Sequence, residues 1–199
     1  PHLGQWAMPG GFLRVKDDAL EQGEDLEAAA HRELNEETGL PPGSAYLEQL
    51  YTFGRAGRDP RTRVISVAWY ALIRPDLAPL ITAGSDASSV SWFSLANRPR
   101  PLAFDHDMML DMAVKRIRGK IDYAPIAFDL VPPAFTIAEL RSVYQAVQGV
   151  PCDAGNFRRR FLRMQQDGLI EKAPGQRLGT RRPSAVYRFV RSNASTTHA

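Results

Sequence analysis

Three glutamates, Glu33, Glu36 and Glu37, stand within five positions of the stretch HRELNEETGL. On a helix with a step of about 100° per residue they fall within roughly a third of a turn of one another. Like charges three and four apart repel by about 0.2–0.5 kcal/mol per pair, so the crowding asks for a counter-charge. Carboxylate oxygens on one face suit a hard cation, Mg2+ or Mn2+. Such an ion neutralises a pyrophosphate and activates a water for attack on phosphorus. Arg32 stands beside them, placed to orient the neighbouring carboxylates. Acidic runs are also common as solvated helix surface, and three glutamates alone do not separate the two readings.

A second group of residues has the opposite sign. In NFRRRFLRMQQ, Phe157, Phe161 and Met164 share one helix face and make an apolar stripe. Arg159 and Arg163 fall about 200–240° away from Phe157, with Asn156 and Gln166 beside them and Arg158 and Arg160 flanking. Arginine and amide side chains pair with guanine and adenine edges or with phosphates. The loop GQRLGTRRPS adds Arg177, Arg181 and Arg182, placed to reach phosphates or a minor groove. The alternative is a solvated basic helix in a protein–protein module.

The elements that must carry these residues are legible from pattern. GQWAMPGGFLRV reads as strand, Gly-Gly turn and short strand. EDLEAAAHRELNEETGL reads as a helix with Leu26, Ala30 and Leu34 at i+4 spacing, stopped by Gly39 and by Pro41-Pro42. AYLEQLYTFG is strand-like, and Arg63–Ile73 is a nearly continuous β-branched and aromatic run, hence a buried strand. SSVSWFSL reads as a further short strand. A mixed helix and strand domain therefore covers 1–100, and a connecting helix lies within 101–122, from Phe104 to Ile121. Thr136 with Glu139 three positions later forms a capping box for a helix. A second helix is capped by Asp153 and closed by Gly168, and a Gly-, Pro- and Arg-rich hairpin follows. Helix, turn, helix, basic hairpin is the order of a winged helix over 123–191. The tail 192–199 is small and polar and reads as disordered.

Charge divides along the same line. Of a formal net +3 over 199 residues, positions 1–100 carry −3, 101–122 none and 123–199 +6. An acidic front and a basic back imply two different partners. Apolar residues make up 44%, enough for a sizeable core. No run approaches the roughly 18 apolar residues of a membrane span, and PHLGQWAMPG has neither the basic start nor the apolar stretch of a signal peptide. Cys152 is the only cysteine, which excludes an internal disulfide and a cysteine-built zinc site and fits a reducing cytoplasm. The four histidines form no ligand spacing.

The acidic stretch resembles the Nudix box, a glycine, five residues, a glutamate, seven residues, then R-E-U-x-E-E-x-G-U with U aliphatic. Glu24 lies the required seven residues before Arg32, and Arg32, Glu33, Leu34, Glu36, Glu37, Gly39 and Leu40 all match. The box's first glycine would fall at position 18, which is Asp18; Gly11 lies farther upstream, so KDDALEQ reads as a loop insertion. The resemblance implies Glu33, Glu36 and Glu37 as metal ligands or base, with a Gly10 or Gly11 carbonyl at the metal and Glu24 and Arg32 holding helix and loop in place.

LVPPAFTIAELRSVYQAVQG, NFRRRFL and RRPSAVYRF, with WAMPGGF, RAGRDPRTRVISVAWYALI and LAFDH in front, resemble the Nudix-related transcriptional regulators of the NrtR type. That resemblance implies an α+β chain: a Nudix α/β/α sandwich-like domain followed by a winged helix-turn-helix domain. It implies a dimeric repressor of NAD or sugar metabolism genes that binds double-stranded operator DNA. ADP-ribose or a related nucleotide is the implied effector, held by Gly10, Gly11, Arg58 and Arg61. Many such regulators have lost hydrolysis, so activity is left open here. The alternative is a Mg2+-dependent pyrophosphohydrolase acting on ADP-ribose or a nucleoside diphosphate derivative.

Overall fold

The acidic stretch folds as helix α1, Leu26–Thr38. Gly39 ends it at φ 69°, where a side chain is disfavoured, and its N–H bonds the carbonyl of Asn35. Asn35 Nδ2 donates to the Leu40 carbonyl at 2.7 Å, and Leu40 itself is buried. Apolar packing of α1 is sparse. Ala29 and Thr38 are its buried residues, while Leu26, expected on the buried stripe, is exposed. The helix is held in place largely by the polar network described below. The computed structural model describes residues 2–15, 22–81, 89–123, 125–178 and 183–190. The chain divides into two compact units, residues 1–117 and 118–199.

In the first unit, strands β1 (Ala45–Phe53) and β2 (Ser66–Ile73) pair antiparallel, with Ala45 opposite Ile73 and Phe53 opposite Ser66. The register shifts between Gln49 and Tyr51, which leaves Leu50 as a bulge. Leu50 is buried, and its carbonyl accepts from Arg116 Nη2 at 3.4 Å. Arg116 belongs to helix α2, His106–Lys120, which spans the division between the units. Asp107, in the first turn of α2, accepts from the Leu102 N–H at 2.8 Å and so ties the preceding segment to the helix.

Three expected strands, two in GQWAMPGGFLRV and one in SSVSWFSL, are absent among the described residues. Residues 5–15 are irregular because their N–H groups find side chains instead of a neighbouring strand: Gly10 N–H donates to Glu37 and Arg14 N–H to Glu24. SSVSWFSL is irregular from 89 to 94 and enters a short 3-10 turn at Leu95–Asn97, with Trp92 and Phe93 exposed. An apolar run does not make a strand without a ladder partner.

The second unit is built on α3 (Ile137–Gln148), α4 (Ala154–Gln166) and the antiparallel hairpin β3 (Ile170–Arg177) and β4 (Ser184–Phe189). The Thr136 capping box opens α3, and Asp153 caps α4 by accepting from the Asn156 N–H at 2.8 Å. Phe135 exchanges both main-chain hydrogen bonds with Tyr187 of β4, each 2.8 Å, which ties the segment before α3 to the hairpin. Phe135, Leu140, Phe157, Phe161 and Ile170 are almost wholly buried. The Phe161 ring meets Tyr187 edge-on at 4.7 Å, and Tyr144 meets Phe157 in the same way at 5.3 Å. This is a winged helix-turn-helix. The 192–199 tail and most of KDDALEQ lie outside the described residues.

Candidate functional site

In the first unit, arginine and carboxylate are interleaved along α1. Arg32 is the hub: its Nε donates to Glu24 at 2.9 Å, its Nη1 to Glu33 at 2.5 Å and to Glu36 at 3.0 Å, and its Nη2 to the Phe12 carbonyl at 3.2 Å. Glu24 also accepts from the Arg14 N–H at 2.8 Å, and Arg14 Nη2 reaches Glu36 at 2.8 Å. Glu37 accepts from the Gly10 N–H at 3.1 Å. Gly11 lies so close that a Cβ there would stand 2.3–2.6 Å from the Glu33 carboxylate. The segment 10–14 is thereby clamped onto the acidic face. The Arg32 guanidinium, helped by the Arg14 N–H, holds Glu24 at about 2, far below its ordinary value. The same carboxylates, Glu24 first, push Arg32 further up.

The oxygens of Glu33, Glu36 and Glu37 are chemically right for Mg2+ or Mn2+; in this structure Glu33 and Glu36 are engaged by arginine and Glu37 by the Gly10 N–H. Among the described residues no three acidic, imidazole or thiol side chains converge on a point. Arg14 and Arg32 supply the positive charge that the crowded face requires. Sequence reasoning predicted this role for a metal and missed Arg14. The available signal was that Arg14 is the only cation among residues 1–15.

Arg58 and Arg61, expected at the ligand, lie in the loop between β1 and β2. The Arg58 side chain is 5% exposed and grips Asp105 with two nitrogens, at 2.7 and 3.0 Å; its third bonds Ser66. Arg58 pulls the Asp105 carboxyl below its ordinary value against the effect of burial. Asp105 immediately precedes α2, so this pair anchors the helix start to the loop. Arg61 pairs with Asp59 at 2.7 Å, lies 5.4 Å from the centre of the Phe104 ring and is 54% exposed. It therefore keeps an open guanidinium surface.

In the second unit, α4 buries Phe157 and Phe161 and turns Asn156, Arg158, Arg159 and Arg163 to solvent. Arg159 bonds Asn156 on its own helix, and none of Arg158, Arg159 and Arg163 has an acidic partner among the described residues. Arg160 turns away. It donates to Asp122 Oδ1 at 2.7 Å and to the Tyr144 hydroxyl at 3.2 Å, and its guanidinium lies 4.4 Å over the Tyr144 ring. Arg177 donates to the Ala134 carbonyl at 2.6 Å and pairs with Glu139 at 3.3 Å, clasping the hairpin to the start of α3. Arg181 and Arg182 lie outside the described residues. Helical spacing placed α4's faces but could not see that Asp122 and Glu139 draw Arg160 and Arg177 inward.

A nucleotide-type acidic helix motif in one unit and a winged helix with an open cationic face in the other define a two-part chain. Comparison with known proteins agrees. Residues 1–111 match the NUDIX domain, and residues 127–189 match the NrtR DNA-binding winged helix domain. The chain belongs to the Nudix-related regulators of the NrtR type. It is 36% identical over 191 residues to the ADPR-responsive transcriptional repressor NtrR of Acinetobacter baylyi, covering 96% of this chain and 72% of that one. It also resembles the crystal structure of Shewanella oneidensis NrtR complexed with a 27mer DNA, with a TM-score of 0.76 and 32% identity, over 96% of this chain and 82% of that one. The front alone is 39% identical over 110 residues to the ADP-ribose pyrophosphatase of Methanocaldococcus jannaschii, 55% of this chain and 57% of that protein. Related Nudix enzymes use a divalent metal. No helix among the described residues is long and apolar enough to cross a membrane.

Proposed function

We propose that this chain is a transcriptional repressor that binds operator DNA through α4 and the hairpin, and whose Nudix unit senses ADP-ribose. The observation that carries the reading is the open face of Arg158, Arg159 and Arg163 on a chain similar to a repressor along nearly its whole length. The response to ADP-ribose is carried over from that relative. Operator binding takes a homodimer acting in the cytoplasm on NAD or sugar metabolism genes. In the first unit the nucleotide meets the clamped 10–14 segment, with the Arg14 guanidinium and the open Arg61 as the cations nearest a pyrophosphate. The carboxylates of α1 hold this cradle together through Arg32, so sensing needs no turnover. A gel-shift titration on the promoter beside its own gene, at fixed salt and with and without ADP-ribose, tests the reading. A shift at sub-micromolar protein that ADP-ribose alters is expected. Absence of any shift from an intact dimer would reject it.

One observation favours a second reading. The box glutamates are all present, and the front resembles an ADP-ribose pyrophosphatase. If hydrolysis occurs, ADP-ribose with Mg2+ yields AMP and ribose 5-phosphate steadily, and Glu37→Gln abolishes it. Failure across a panel of nucleoside diphosphate derivatives would leave sensing alone.

A further inference from the structure

The outward face of α4 carries one residue that neither the charge pattern nor the core explains. Leu162 follows the fully buried Phe161 and is 46% exposed. Helical spacing sets it four residues after Arg158, three after Arg159 and four before Gln166, with Arg163 adjacent. It is thus an apolar point inside a ring of three arginines and an amide. It is not among the buried residues of α4, which are Phe157 and Phe161, about 100–140° away round the helix. A lone leucine among three cations is far smaller than the apolar patch a protein partner recognises. The surrounding charge selects a polyanion. In a major groove, the apolar group a recognition helix meets among the base edges is the C5-methyl of thymine.

We propose that Leu162 is a specificity-determining residue that reads a thymine methyl group in each operator half-site, while Arg158, Arg159 and Arg163 supply the charge contacts around it. This rests on the DNA-binding reading above. It assigns the sequence preference at one base pair to an apolar contact in place of a hydrogen bond. Removing the methyl therefore removes most of the preference and leaves the phosphate contacts unchanged.

The test starts from a duplex selected by the full chain out of a random-sequence pool. Each thymine is then replaced in turn by uracil, which differs only by that methyl. At one position per half-site the substitution should weaken binding about four-fold, the factor expected for burying one such carbon. Leu162→Ala should bind the thymine and uracil duplexes equally, near the affinity of the unmodified chain for the uracil duplex. Arg163→Ala should weaken both duplexes by the same factor, which separates charge from methyl contact. If no single uracil changes the affinity, or if the loss persists in Leu162→Ala, the proposal is overturned and DNA binding stands. If the pool yields no preferred duplex, the DNA-binding reading falls and this proposal with it.

Discussion

Arginine does opposite work on the two helices that face function. At α1, Arg32 of the helix and Arg14 of the segment laid against it are tied to Glu24, Glu33 and Glu36. Along α4, Arg158, Arg159 and Arg163 have no acidic partner among the described residues. The difference lies in the neighbours, since both helices are rich in charge. Three glutamates on α1 repel one another and draw in any guanidinium within reach. The sequence of α4 contains no acidic residue between its caps Asp153 and Asp167, so Arg158, Arg159 and Arg163 stay solvated and available to a polyanion, while Arg160 finds its partner in Asp122 outside the helix. A buried, paired arginine fixes structure; one with an exposed guanidinium is open to a ligand.

The largest effect should come from Arg58, the paired arginine most deeply buried. Arg58→Ala leaves Asp105 charged and nearly inaccessible, and breaking such a pair costs about 3–5 kcal/mol. Urea denaturation should show the first unit melting early. A loss under about 1 kcal/mol would place Arg58 among the open arginines and weaken the contrast.

Next is the open set. Arg159→Ala together with Arg163→Ala should lower operator affinity by about 100-fold and reduce the salt slope by about two. ADP-ribose affinity, read by calorimetry, should not move. Parallel loss of both would mean the two sites are not separate.

Arg160 shares α4 with the open set yet is paired with Asp122. Arg160→Ala should cost the second unit about 1 kcal/mol through its contacts with Tyr144 and Asp122, the latter largely exposed. The salt slope of DNA binding should stay unchanged. A fall in that slope would return Arg160 to the DNA face.

The smallest effect is acid sensitivity of the clamp. Arg32 holds Glu24 at about 2 against an ordinary 4.5. The stabilisation is complete above 4.5 and is lost as pH falls towards 2, because the unfolded segment takes up the proton first. Carboxyl chemical shifts should show Glu24 titrating below the other glutamates, with the Arg14 amide signal moving with it. Titration of Glu24 near 4.5 would mean the clamp is not formed in solution.

Local pattern was enough for much of this. The capping box at Thr136, the Asp153 cap, the Gly39 stop, both winged-helix helices and the basic hairpin were legible because each depends on residues within a few positions of one another. The Nudix box was legible for the same reason, as a spacing along one helix. Short apolar runs misled at GQWAMPGGFLRV and SSVSWFSL, where a strand depends on a distant partner that a run of side chains does not disclose.

By itself, the sequence determined that the chain has an acidic half and a basic half, a Nudix-type helix and a winged helix, since periodicity, caps and net charge are local quantities. Only the tertiary structure decided which charges are open. Arg58 meets Asp105 across 47 positions, Arg160 meets Asp122 across 38 and Arg177 meets Ala134 across 43. Pairing is set by distance in space, and Coulomb attraction does not follow chain order.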